Sequence, residues 1–553
     1  MLETFRQSMT WLHTWFGLVL GFVLMVIFFF GALSVFDREF DRWAIPETRF
    51  DPQPMPSYDE LLLPIFQQMR PNNETELAFA RDRAGSDDLG PMPAIEWGAY
   101  TTHRDPLLAM YSEHSIINPN DPNDHVHGQV TIDPRNGELL SQDQLRIGSD
   151  FFYRMHFSLD LPSVPGYWII GIATLVMLAA LVSGVVIHRK IFREFFTFRP
   201  WKNTQRGVLD IHNMTGVTAL PFHFFFALTG LMIFINTFFP VSFTQLQLLH
   251  DKSEEIQLAA QGLPTSAAGV EAPMASVDAM VAEAKRRWAE RDMPGEVGFL
   301  WVTHVNDANS YVSIYRAGSD RVAQVGEGIH FKGTTGEVLV EDPPHSAVGE
   351  IDDFLIGLHL QHFEHWFLRW LYVLGGLLGA VCIATGFIFF VEKRKAKHAE
   401  THSQGSRIVD ALAVTTVTGM LIATLAILLA NRVLPIELEG RDSWEKSVFW
   451  WTWLLALVHA FWRSAPVAEA RHNPAWREQC WVIGILAIIV VLLNWVTTGD
   501  HLIKTVFTDP YWAVAGVDLS LLASALIAFI VARKLSQPVI ENVPSHREAV
   551  VYE

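Results

Sequence analysis

The chain has 553 residues, half of them hydrophobic and 18% charged, with a formal net charge of −18 and only two cysteines. That is too apolar for an ordinary water-soluble protein and too charged for one sunk throughout in lipid, so part of it belongs in a membrane and part in water. The acidity argues against a nucleic-acid partner, whose phosphates need a basic surface, and two cysteines exclude a disulfide scaffold, a Cys-ligated zinc or iron–sulfur site and covalent haem attachment.

About twenty apolar residues cross the hydrocarbon of a bilayer. Eight candidate spans occur in order: residues 11–36, 166–188, 208–240, 367–391, 408–433, 447–462, 481–498 and 511–531. The sixth is the shortest, and the first has too long an apolar part, with no small-residue cleavage site after it, for a cleavable signal peptide. The chain thus divides into a first helix (1–36), a hydrophilic stretch (37–165), a helix pair (166–240), a second hydrophilic stretch (241–366), a fourth helix (367–395) and a four-helix extension with a tail (396–553).

The two hydrophilic stretches carry net charges of −12 and −11, which leaves about +5 for the rest. That excess sits in short connections: Arg189, Lys190, Arg193, Arg199, Lys202 and Arg206 after the second span, and Lys393, Arg394, Lys395 and Lys397 after the fourth. By the positive-inside rule these connections and both termini are cytoplasmic and both hydrophilic stretches lie outside, which in a bacterium means the periplasm. Each stretch reads as an α+β domain. Helical segments at 58–69 and 276–288 precede alternating strands at 94–101, 107–113, 296–305 and 311–316. Neither stretch holds a nucleophile elbow or a phosphate loop, and His125 and His127 read as exposed loop residues rather than as metal ligands.

His13, Gly17 and Gly31 in the first span recur as His212, Gly216 and Gly230 in the third, each at an offset of 199 residues. The turns DPRNGELL and KGTTGEVL recur at the same offset, and each is followed by a histidine ahead of the next span, His156 and then His359. This series in register marks a duplication: two parallel copies of helix, outside domain, helix. The fold class expected is a mainly α membrane protein of about eight helices, built on this duplicated unit and followed by four C-terminal helices.

The segments WLHTWFGLVLGF, HNMTGVTALPFHFFFALTGL and FLIGLHLQHFEHWFLRWLYVLGG, with the paired NGELL and TGEVL turns, resemble the PepSY-associated transmembrane family, over about residues 5–395. The resemblance implies an iron-regulated bacterial inner-membrane protein with periplasmic PepSY-like domains. It is similar to the siderophore reductases of that family, which hold haem among the first four helices and reduce chelated ferric iron. The last four helices have no assigned role.

Histidines in membrane helices point to function, because an ionisable group in hydrocarbon is costly. Haem b needs an axial imidazole and an apolar slot, and the first four spans offer both. On a straight helix His212 and His223 point within about 20° of each other, about 16 Å apart along the axis, so one face would serve two stacked b-type haems. The inner haem would draw on His13, His188 and His212, and the outer on His223 with His156, His359, His362 or His365. Gly17, Gly31, Gly216, Gly230, Gly375, Gly376 and Gly379 would admit a macrocycle or serve helix packing. The partners expected are a ferric siderophore, a quinol or cytoplasmic reductant as electron donor, and the bilayer. The rival readings are a non-enzymatic receptor or regulator that binds a peptide or protease, and a transporter whose histidines relay protons.

Overall fold

The structure is a computed structural model and describes residues 4–90, 92–101, 105–118, 124–140, 145–188, 204–238, 258, 261–324, 328–343, 345–400, 404–464 and 473–536. Arg189, Lys190, Arg193, Arg199, Lys202, the end of the third expected span at 239–240 and the tail at 537–553 lie outside the described residues, as do the side chains of Lys395 and Lys397. The chain forms two compact units, Met1–Trp201 with Leu209–Ile383, and Lys202–Val208 with Ala384–Glu553.

The first unit begins with α1 (Phe5–Val19) and α2 (Gly21–Ser34), followed by α3 (Asp37–Ala44), α4 (Leu63–Gln68), α5 (Glu74–Ala84), β1 (Ala94–Tyr100), β2 (Leu108–Ser115) and β3 (His125–Ile132). The chain then forms α6 (Tyr153–Phe157) and α7 (Ser163–Ile187). The second copy repeats the order: α8 (Thr204–Thr218), α9 (Leu220–Ile233), the short α10 (Ile235–Phe238), α11 (Val277–Glu290), β4 (Val297–Thr303), β5 (Tyr311–Arg316), β6 (Gly328–Lys332), β7 (Val338–Glu341), α12 (Ala347–Leu360) and α13 (Trp366–Glu400).

Both copies break their first membrane helix. α1 meets α2 at Leu20 with a bend of 62°, and α8 meets α9 at Ala219 with a bend of 61°. The two breaks are again 199 residues apart. In the second copy Pro221 has no N–H to give and its ring crowds the turn before it, which ends α8. The expected third span is therefore not straight, and His212 and His223 do not share one continuous helical face.

The two hydrophilic stretches, expected as two domains, join in one seven-stranded antiparallel sheet of order β3-β2-β1-β4-β5-β6-β7. The seam pairs β1 with β4, setting Trp97 opposite Val302 and Ala99 opposite Leu300. Trp301 lies over Gly98, where a Cβ would come within 2.1 Å of the indole. One core serves both copies: Trp97, Leu300, Val312 and Phe331 from the sheet pack with Leu62, Phe66, Met280 and Trp288 from the helical segments. β3 and β6 were not read from the sequence.

The copies also exchange helix caps. Asp278 accepts from the Ser57 hydroxyl (2.6 Å) and the Tyr58 amide (2.8 Å), while Asp59 accepts from the Ser276 hydroxyl (2.6 Å) and the Val277 amide (3.1 Å). Each acid satisfies orphan N–H groups on the other copy's helix. Replacing Asp59 or Asp278 by Ala is expected to lower stability by about 1 to 2 kcal/mol. Thermal unfolding checks this; an unchanged midpoint in both variants contradicts it.

The second unit holds α14 (Gly405–Val414), a π-helical turn at Thr415–Gly419, α15 (Met420–Val433), α16 (Arg441–Arg463), α17 (Pro474–Thr498) and α18 (Trp512–Ser536). Among the described residues five helices are long and apolar enough to cross a membrane, or seven if each bent pair is one span, so the chain is a multi-pass membrane protein. α16, the sixth expected span, is a 23-residue helix outside that set. Its first turns carry Arg441, Asp442, Glu445 and Lys446 and its last residue is Arg463.

Candidate functional site

Four histidines meet in two pairs, and each pair joins equivalent residues of the two copies. His13 on α1 and His212 on α8 have ring centres 6.2 Å apart. His156 on α6 and His359 on α12 have ring centres 6.1 Å apart. The second pair lies toward the sheet, the first toward the other end of the helices.

Hydrogen bonds fix the tautomer of all four rings. His13 Nδ1 lies 2.9 Å from the Ala180 carbonyl, His212 Nδ1 2.7 Å from that of Cys382 and His156 Nδ1 2.9 Å from that of Ile27. A carbonyl only accepts, so each Nδ1 carries the proton. His359 Nδ1 lies 2.8 Å from Thr229 Oγ1, whose own hydroxyl donates to the Phe225 carbonyl at 2.6 Å, so Oγ1 accepts there too. When neutral, each ring so held keeps its lone pair on Nε2, the state in which histidine binds a metal.

The other histidines singled out are arranged differently. His223, expected as an outer ligand, is buried and joins neither pair. Its Nε2 donates to the Gly375 carbonyl at 3.1 Å, and its ring packs edge-on against Phe28. The Asn213 amide donates to His188 Nε2 at 2.8 Å, occupying that lone pair. His365 accepts from the Leu368 amide at 3.3 Å and so caps the start of α13. His362 is exposed and lines the cavity beside His359. On the sheet His127 pairs with Glu76 at 3.1 Å and His125 with Glu113. Among the described residues no cluster of three or more His, Cys, Asp or Glu is suited to a metal ion.

A cavity of about 420 Å³ opens between the copies, lined by His156, His359, Phe28, Met177, Phe234 and Tyr372. Two of the glycines make room for its histidines. A Cβ on Gly31 would lie 2.7 Å from His156, and one on Gly230 3.0 Å from His359. Gly376 instead lets α13 close on Ala32, while Gly17 has nothing within 4 Å of such a Cβ.

Toward the sheet the lining turns polar, with Asp37, Arg38, Tyr100, Ser149 and Tyr153. Arg38 donates to Ser149 Oγ at 2.6 Å and lies 3.3 Å from Asp105. Asp41 accepts from the Gly148 amide at 2.7 Å and from the Ser149 amide and hydroxyl. Burial, with Asp150 adding to it and Arg38 and Arg146 opposing, pushes the Asp41 carboxyl up to about 7 from an ordinary 3.8. A raised carboxyl stabilises the fold fully below its unfolded value, and the contribution is lost as pH rises through its folded value. Wild-type protein is expected to lose thermal stability between about pH 4 and 7 through this group. Asp41→Asn, which mimics the protonated acid, flattens that decline; an unaltered pH profile in the variant contradicts the assignment.

Sequence reasoning missed Thr229, which holds His359, and the Arg369–Glu39 pair that ties α13 to α3. Thr229 stands where the first copy has Phe30, so the repeat carried no signal for it. A family model described as PepSY-associated TM region matches residues 10–393. No curated protein matches the sequence.

Proposed function

Since the chain belongs to the PepSY-associated TM family, we propose that it is a haem-containing reductase of the bacterial inner membrane, passing electrons from a quinol or cytoplasmic reductant to a ferric siderophore outside. The observation that carries this reading is the pair of histidine pairs, with ring centres 6.2 and 6.1 Å apart and every Nδ1 proton engaged.

His13 with His212, and His156 with His359, have ring centres 6.2 and 6.1 Å apart, a separation that would leave room for a haem iron to be held by both imidazoles of a pair. Two imidazoles alone do not hold a bare ion. A porphyrin would bring the remaining donors as its own ring nitrogens, so that two imidazoles would suffice. Haem bound there supplies reversible one-electron carriage. His13 and His212 would hold one such group, and His156 and His359 another nearer the sheet. The acceptors Ala180, Cys382, Ile27 and Thr229 orient the rings and make their free nitrogens more basic. Phe28, Met177, Phe234 and Tyr372 give the outer site an apolar wall.

The substrate is iron(III) held by hard hydroxamate or catecholate oxygens. One added electron gives iron(II), which such ligands hold poorly, so the metal is released. The sheet roofs the polar mouth of the cavity through Tyr100 and is the surface on which a chelate would dock. The test uses the purified full chain, chemically reduced under anaerobic conditions and mixed with a ferric siderophore and a ferrous-specific chelator. Oxidation of the protein should match the iron(II) trapped. Binding of the chelate without any electron transfer would favour the receptor reading instead.

A further inference from the structure

One buried ionisable side chain between the two pairs has no role in holding them. His223 lies on α9, eleven residues beyond His212 and six before Thr229, which holds His359. It is 3% exposed. The Gly375 carbonyl takes its Nε2 proton at 3.1 Å, so its lone pair is on Nδ1, the reverse of the four paired rings.

Packing does not demand a histidine here. The equivalent position in the first copy, 199 residues earlier, is Leu24, which is buried as well. The second copy has made space for the polar ring: a Cβ on Gly379 would lie 2.5 Å from Phe28 and 3.0 Å from His223 Nε2.

We propose that His223 is the proton acceptor of the membrane interior, taking up one proton when an electron enters the paired-histidine sites and returning it when the electron leaves. The proposal rests on the haem reading above. An uncompensated charge in a low-dielectric interior is costly, and a proton bound nearby offsets an added electron. Histidine is the side chain whose charge changes most readily near neutral pH. The electron comes from the donor of the reductase and the proton from a hydronium ion of the bulk water; an N–H bond forms at Nδ1 as one O–H bond of that hydronium breaks and leaves water, and both changes reverse when the electron leaves.

Among the described residues of the helices packed around His223, α7 brings Tyr167, which stacks on Phe234, and α12 brings Glu350, Asp352, Asp353 and His359, the last held by Thr229 two turns from His223. α2 has no titratable side chain, and α9 has none besides His223. On α13, Cys382 is engaged with His212, Tyr372 packs on Phe226, and Arg369 is paired with Glu39.

The test is a spectroscopic redox titration of the full chain at several pH values, for wild type, His223→Leu and His223→Gln. Leu restores the residue of the first copy; Gln keeps a donor for Gly375 but has no basic nitrogen. In wild type one midpoint potential should move by about 59 mV for each tenfold change in proton concentration. Both variants should keep two haems and lose that slope. A pH-independent wild type, or a slope that persists in either variant, overturns the proposal. Loss of one haem in both variants would make His223 a ligand and overturn it too. A wild-type protein without haem overturns the haem reading itself, and this inference with it.

Discussion

Replacing His156 or His359 by Ala is expected to remove about half of the bound haem, leaving the site at His13 and His212 filled. Each ring of the outer pair is committed to one orientation by a hydrogen bond through Nδ1, to the Ile27 carbonyl for His156 and to Thr229 for His359. Truncating either imidazole would remove one side of a two-sided site, and the other histidine of the cavity wall, His362, is exposed where His156 and His359 are held inward. His13→Ala and His212→Ala should have the complementary effect. Thr229→Val keeps every ligand but frees the His359 ring, and loss of such a second partner commonly costs 10- to 100-fold in affinity. The outer haem should then dissociate on dilution while the inner one stays. Haem content per protein, measured on each purified variant, decides the matter. Full retention in both outer variants would remove His156 and His359 from the site.

The largest expected effect on stability belongs to Glu39. Arg369 near the start of α13 is buried and makes a two-pronged contact with the Glu39 carboxylate at 2.7 and 2.8 Å. It also reaches the Val35 carbonyl at 2.8 Å and lies over the Phe36 ring at 4.4 Å. Glu39→Ala leaves that guanidinium in place without its counter-charge, a change that typically costs about 3 to 5 kcal/mol. Replacing both partners by apolar residues, as Glu39→Leu with Arg369→Met, should be far milder, because no charge is then left unpaired. The contrast between single and double variants in thermal unfolding is the readout. Equal losses in both would mean that the pair acts through packing and not through its charges.

Much of this architecture was legible in the sequence because the duplication left a fixed offset, and the offset of 199 residues reappears in the helix breaks at Leu20 and Ala219. The sequence already grouped His13 with His212, and His156 with His359, but it gave the outer histidines His223 as their partner. A straight-helix projection aligned His212 with His223, and only the break before Pro221 undoes that alignment. The hydrogen bonds that set His223 and His188 apart from the paired rings were not legible, because they involve groups such as the Gly375 and Ile27 carbonyls, more than a hundred residues away in sequence, and the Asn213 side chain. The joining of two α+β segments into one sheet was hidden for a similar reason. The alternation that marks β1 and β4 as strands is silent about which edge each strand offers.

On the proposed reading the two copies together would hold two haems, each between a pair of equivalent histidines. The most direct measurement is the haem-to-protein ratio of the purified chain, taken with its reduced and oxidised spectra. Two b-type haems per chain are expected, both with the low-spin spectrum of two imidazole ligands and both reducible by dithionite. A chain that carries no Soret band, or only one haem in the presence of excess haem, would contradict it.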